Sequence, residues 1–276
     1  MRLLLILATA ASLAVAADTP SPVVPASLQR GYNQAYNLNF EAAQREFAGW
    51  QQEHPQDPVG PASEAAGLLF AELDRLGVLE SQFFIKDSAF AARPKVNPDP
   101  AVKSRFEAAL ARAETDARQA LAKDAKNHDA LFTMSLVYGL RADYAALIEK
   151  RNVGAISYTR QASDWAEKLL KAAPDYYDGY LASGISKYII GSMAAPVRWL
   201  LRIGGYSGDK RAGIQELEIA AQKGRYLGPF ARLLLAVAYL RQNDRSRARD
   251  LLAGLQSDFP QNPLFPRELA RLDAAH

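Results

Sequence analysis

LGPFARLLLAVAYLRQNDRSRARDLLAGLQSDFP, residues 227–260, carries two apolar stripes separated by the polar break Gln242, Asn243 and Asp244. The first stripe is Leu233, Leu234, Val237, Ala238 and Leu240; the second is Ala248, Leu251, Leu252, Leu255 and Phe259. Both recur at three- and four-residue spacing, so each marks one face of an α-helix. A break this short leaves the two helices antiparallel and adjacent, and Pro260 stops the second. One such hairpin cannot bury both of its faces. It needs copies of itself on either side, and the rest of the chain supplies them.

Within this hairpin the small Ala236, the aromatic Tyr239, the early Ala248 and the closing Pro260 stand at the spacing of a tetratricopeptide repeat, a helix–turn–helix unit of about 34 residues. The stretch resembles that family. Large apolar positions of the second helix fall on Leu252 and Leu255. Small side chains let two helix backbones approach, and large ones fill the space beside them. Gly31, Phe40, Ala43, Phe47 and Pro55 make a second match near the start; it departs where Gln34 replaces the late aromatic and Tyr36 is displaced. The chain is also similar to a group of exported bacterial repeat proteins, on residues 35–42 and on FPQNPLF at 259–265. That resemblance implies fold and export, and no activity.

Residues 1–17, MRLLLILATAASLAVAA, have one Arg and then an apolar run, with small-x-small patterns at Ala14, Val15, Ala16 and one residue later. The run falls short of the about 20 apolar residues of a membrane span. It reads as a cleaved secretory signal, against an uncleaved anchor, and places the chain in the periplasm or outside the cell. The chain has no cysteine, which removes a lipoprotein anchor, disulfides and thiol chemistry. Its stability must come from core burial, which a mature chain of roughly 260 residues can supply. A net charge of only +3 leaves no basic surface for nucleic acid.

Residues 18–26 hold three prolines and read as a linker. Helices follow over 28–37, with Ser27 as N-cap, and over 40–54. HPQDPVGP at 54–61 is a turn, 62–76 a helix ended by Gly77, and 78–86 a short aromatic helix. ARPKVNPDP at 92–100 is a loop, after which Asp99 caps a helix to about Lys123. Residues 128–141 form a first helix. The stretch 142–173 is too long for one repeat helix; 159–174 fits a second helix, with an added turn or a lengthened helix around 152–154. Residues 175–192 form a tyrosine-rich first helix, the insert 193–208 fits no repeat, 209–224 is a second helix, and 264–272 caps the stack. The fold expected over 27–276 is all-α, a solenoid of about six antiparallel helix pairs, two regular and several irregular. The resemblance implies a right-handed superhelix with first helices lining its concave face.

Candidate chemistry is sparse. His54, His128 and His276 lack ligand spacing, so no metal and no cofactor is expected. Ser207 to Lys210 matches S-x-x-K but has no K-T-G or S-D-N partner. The glycines at 204–208 precede Lys210 and Arg211 without the order of a nucleotide loop; a tight turn with Asp209 as N-cap is the plainer reading of a feature that could hold an anion. Val197, Trp199, Leu200, Leu201 and Ile203, with Arg198 and Arg202, form a short amphipathic segment at 197–203. It either touches a membrane or a partner, or folds over the solenoid's own apolar surface, and the latter is the plainer reading. Arg241, Arg245, Arg247 and Arg249 cluster near the last hairpin turn. The plainer reading is a solvated face with Arg247 paired to Asp250; the sharper one joins Arg241, Arg245 and Arg249 to Lys210 and Arg211 as an anion or partner patch.

Tyr32, Tyr36, Tyr180 and Tyr188 lie on first helices. The resemblance places Tyr32, Tyr36 and Tyr188 on the concave face and Tyr180 between helices. Tyrosine combines contact area, a polar tip and little entropy to lose, which suits peptide binding; packing between repeats is the alternative. The expectation is an exported, non-catalytic scaffold or adaptor that binds a protein or peptide through its concave face, without nucleic acid. The alternatives are an envelope hydrolase or glycan-processing enzyme with a helical superstructure, and a peripheral membrane protein docking through 197–203.

Overall fold

The computed structural model describes residues 25–79, 95–203 and 207–274, and every regular element among them is helical. Residues 1–17, most of the linker, residues 80–86 of the aromatic stretch, 92–94, Gly204, Gly205 and His276 lie outside the described residues, as do the side chains of Val197, Leu200 and Leu201.

α1 (Ala26–Tyr36) and α2 (Phe40–Glu53) form the first pair. α3 (Val59–Arg75) and α4 (Pro100–Lys123) form the second. α5 (His128–Asp143) continues through a π-helical turn, Tyr144–Ile148, before α6 (Asn152–Ala172). α7 (Gly179–Ser192) pairs with α9 (Lys210–Lys223), and the short α8 (Ala195–Ile203) lies between them in sequence. α10 (Gly228–Leu240) and α11 (Arg245–Asp258) are the hairpin of 227–260, and α12 (Leu264–Ala274) packs on α11. Each pair packs within itself and against the next, and α1, α3, α5 and α7 also touch in succession. The described residues thus form an α-solenoid of five antiparallel pairs and a closing helix.

Local chemistry sets the ends. The Asp99 carboxylate accepts from the amides of Ala101 at 2.7 Å and Val102 at 3.4 Å, with Pro100 in the first turn of α4. Asp209 caps α9 through Arg211 and Ala212, and Asp244 caps α11 through Arg247. α3 ends at Gly77, whose φ of +65° reverses the chain; Val78 N–H then reaches Leu73 O at 2.8 Å and Gly77 N–H reaches Asp74 O at 2.9 Å.

Four boundaries differ from the sequence reading. α1 starts at Ala26, because extended Pro25 ends the preceding segment and leaves Ser27 inside the first turn. α3 starts at Val59, since Pro61 sits in a first turn where its missing N–H costs nothing. α7 starts at Gly179, because Asp178 serves another loop. The long stretch after α5 resolves into the π turn, a left-handed Lys150 at φ 55°, and a lengthened α6.

The core has two main parts. One joins the first and last pairs: Leu28, Tyr32 and Phe47 with Phe132, Tyr176, Tyr226, Leu235, Leu252 and Phe259. The other lies among α3, α4, α5 and the π turn, with Leu69, Leu73, Phe106, Leu110, Val137 and Tyr144. α7 and α9 meet at backbone distance: a Cβ on Gly213 would lie 2.5 Å from Tyr188 N and 2.8 Å from Gly184 O.

Candidate functional site

The inner face of the stack is filled by its own aromatic rings. Tyr32 is 4% exposed, its ring 5.4 Å from Phe47 and 5.1 Å from Tyr226. Its hydroxyl lies 3.0 Å from Ser63 Oγ, which itself donates to Val59 O. Burial pushes that hydroxyl far above the usual tyrosine range. The ring of Phe132 stands 5.8 Å from Tyr226, and Phe70 of α3 meets Phe230 of α10 at 5.3 Å. Tyr32 is therefore not on an open concave face: the first and last pairs meet there and seal it.

Tyr36 is half-buried at the same seam. Its hydroxyl donates to Tyr226 O at 2.8 Å, its carbonyl accepts from Asn262 Nδ2 at 2.8 Å, and its ring lies 5.2 Å from Phe259. Tyr188 is half-buried at the α7–α9 contact, with Lys210 Nζ 5.9 Å from its ring centre. Tyr32 and Tyr36 thus adjoin, with ring centres 6.5 Å apart, while Tyr188 stands apart from them. Tyr180, half-buried, donates to Pro174 O at 3.3 Å and stacks on Tyr177.

Asp178 positions the centre of the seam. Its carboxylate, 2% exposed, accepts from the amides of Arg225 at 2.9 Å, Tyr226 at 3.0 Å and Leu227 at 2.7 Å. Burial drives this carboxyl above its usual range while the three amides oppose the shift. The clamp fixes the loop before α10 and aims Tyr226 inward.

A cleft of about 470 Å³ opens along the seam. On the α1 side Gln29, Asn33 and Asn37 stand on successive turns; Arg225, Arg232, Asp258 and Phe259 face them. Gln29 Nε2 donates to Asn33 Oδ1 at 3.3 Å, and Asn37 Oδ1 accepts from Gln261 N at 3.1 Å. Arg232 pairs with Asp258 at 2.7 Å, while the Arg225 guanidinium lies over the Tyr176 ring at 5.1 Å. Two guanidiniums against one carboxylate leave the cleft positive. Asn37 Nδ2 donates to Asn33 O at 3.0 Å, so both ends of its amide are engaged, while the Gln29 and Asn33 amides both donate and accept, as a peptide backbone does. Sequence reading missed Asn33, Asn37 and Asp178; the four-residue spacing of Gln29, Asn33 and Asn37 was the available signal. A smaller cleft of about 280 Å³ lies beside Tyr239, whose hydroxyl donates to Glu218 at 2.6 Å.

The arginine group is divided among different partners. Arg249 pairs with Asp273 of α12 at 3.2 Å. Arg247 pairs with Asp244 at 3.3 Å, not with Asp250, because Asp244 is already held at the N-cap and the Tyr239 ring draws the guanidinium over itself at 5.2 Å. Arg241 and Arg245 flank the α10–α11 turn, and Lys210 and Arg211 open α9. Ser207 is exposed, and the Asp209 carboxylate between it and Lys210 is spent on capping α9. His54 stacks on Trp50, with ring centres 3.5 Å apart. Among the described residues no three His, Cys, Asp or Glu side chains gather as metal ligands, and no helix is long and apolar enough to cross a membrane. Trp199 and Ile203 of α8 are each 66% exposed, so at these two positions the insert does not fold over the solenoid's own surface.

No family model matches the chain, and no curated protein matches it. Among solved structures it is similar to a thermophilic TPR protein of Thermus thermophilus, at 18% identity and a TM-score of 0.46, over 89% of this chain and 96% of that one.

Proposed function

We propose that the chain is an exported, non-catalytic helical scaffold that holds an extended segment of a protein partner in the seam cleft between α1 and α10. The observation that carries this reading is the pair of amides Gln29 and Asn33, on successive turns of α1, facing Arg225 and Arg232 across about 470 Å³. Amides match the alternating donors and acceptors of an extended backbone, and the guanidiniums favour a segment with an acidic side chain or terminus. Phe259 adds an apolar wall, with Tyr36 packed behind it. Export is supported by the apolar run and cleavage pattern of residues 1–17.

The test is selection of binding peptides from a random display library on the purified chain, followed by titration against Asn33→Leu and Arg225→Glu variants of unchanged helicity. Acidic peptides that lose affinity in both variants are the expected result. Peptides that bind both variants as well as the parent remove the cleft from the function. N-terminal sequencing of the envelope fraction tests export, with a mature chain beginning at Ala17 or Asp18 expected.

A further inference from the structure

We propose that α8 docks the protein on an anionic lipid surface. Trp199 and Ile203, four residues apart on one helix face, are each 66% exposed. Ile189, on the last turn of the adjoining α7, adds further exposed apolar surface at 40%. The Arg198 guanidinium donates to the carbonyl oxygens of Gly191 at 3.2 Å and Met193 at 3.5 Å, so α8 is tied to the end of α7. Arg202, one turn further on, is exposed.

Charge selects the occupant. Across 193–212 the chain carries Arg198, Arg202, Lys210 and Arg211 against the single acid Asp209, whose carboxylate caps α9. α9 and α10 are antiparallel neighbours, so the α10–α11 turn, with Arg241 and Arg245 against the single acid Asp244, lies at this same end of the stack. An indole beside arginines on a short helix suits the boundary between headgroups and acyl chains. A second copy of the chain fits poorly. A nine-residue helix is about 13 Å long and offers far less than the about 800 Å² per partner of a stable dimer. Two-fold pairing through this face would also set cations against cations. The seam cleft lies at the opposite end of α9, about 20 Å away, so a docked molecule keeps it open to solution.

The test is flotation of the full chain with vesicles of phosphatidylcholine and phosphatidylglycerol, and with phosphatidylcholine alone. The expected result is flotation with the anionic vesicles only, lost in high salt. Trp199→Asp lowers it by about tenfold or more, and Arg202→Glu weakens it. Ile203→Asp serves as the second variant, and thermal melts matched to the parent establish that each is folded. Three outcomes overturn the proposal. One is a parent that does not float. Another is flotation that persists in both Asp variants, which would assign the vesicle to residues 1–17 or to another surface. The third is a concentration-dependent dimer abolished by Trp199→Asp, which would make a second copy the occupant.

Discussion

The Tyr36 hydroxyl, at the end of the first helix, donates to the carbonyl oxygen of Tyr226 at 2.8 Å, across 190 positions of sequence. Gln261 N–H to Asn37 and Asn262 to the Tyr36 carbonyl repeat the same long-range link. The two ends of the solenoid therefore hold each other.

Removing that link has graded consequences. Tyr36→Phe deletes one hydrogen bond and is expected to cost about 1 kcal/mol. Tyr226→Ala empties the space between Tyr32 and Phe132 and is expected to cost about 3–5 kcal/mol. Urea unfolding measures both. A Tyr226→Ala variant within about 0.5 kcal/mol of the parent would refute a closed seam.

Gly213→Ala places a methyl against the backbone of Tyr188 and Gly184, where no flexible side chain can yield. α7 and α9 must separate, at an expected cost of about 1–3 kcal/mol. Gly49→Ala is the comparison, because open space surrounds a Cβ there. Equal melting temperatures for the two variants would show that the α7–α9 contact is looser than described.

Glu72 links α3 to α4. Its buried carboxylate takes a two-pronged pair from Arg75, both bonds at 2.7 Å, and the Asp99 amide at 2.8 Å. The Arg75 hydrogen bonds hold its pKa below the usual carboxylate value. A folded pKa below the unfolded one gives stability that is complete above about pH 4.3 and lost as pH falls through the folded value. Glu72→Gln is expected to cost about 1–3 kcal/mol at neutral pH, with the deficit shrinking in acid. A deficit independent of pH would contradict the ionised pairing.

Asp143 behaves in the opposite sense. At the junction of α5 and the π turn, burial pushes its carboxyl up to about 7. Its folded pKa exceeds the unfolded value of about 3.9, so its contribution is complete below about pH 4 and is lost as pH rises through about 7. Asp143→Asn should flatten that decline, and melting temperatures across the range measure it. Parallel curves for parent and variant would count against the shifted carboxyl.

What the sequence reveals about this fold is what short-range chemistry determines. The stripes of 227–260, the caps at Asp99 and Asp209 and the stop at Gly77 each need only three to five residues of context, and each is visible. The π turn after Asp143 leaves no such mark, since its bonds differ from helical ones by a single residue of register. The start of α7 is misread for a related reason: Asp178 resembles an interior residue of a helix, while its partners are amides nearly fifty positions later. Tyr32 and Tyr36 show the same limit. The resemblance assigns them to an inner face, and only the return of residues 226 and 259–262 turns that face into an interior. The seam cleft is legible only as its α1 half.

Stacked helix pairs normally fold outward from any point, because each pair needs only its neighbours. Here α1, made early, waits for α10 and α11 before its apolar side is covered. Closing a loop of this length raises the mean sequence separation of contacts, and folding slows accordingly. The same arrangement makes the chain intolerant of trimming. Loss of α10 to α12 would expose Tyr32 and Tyr36, some 190 positions earlier in sequence, so damage late in the chain would be felt at its first helix pair.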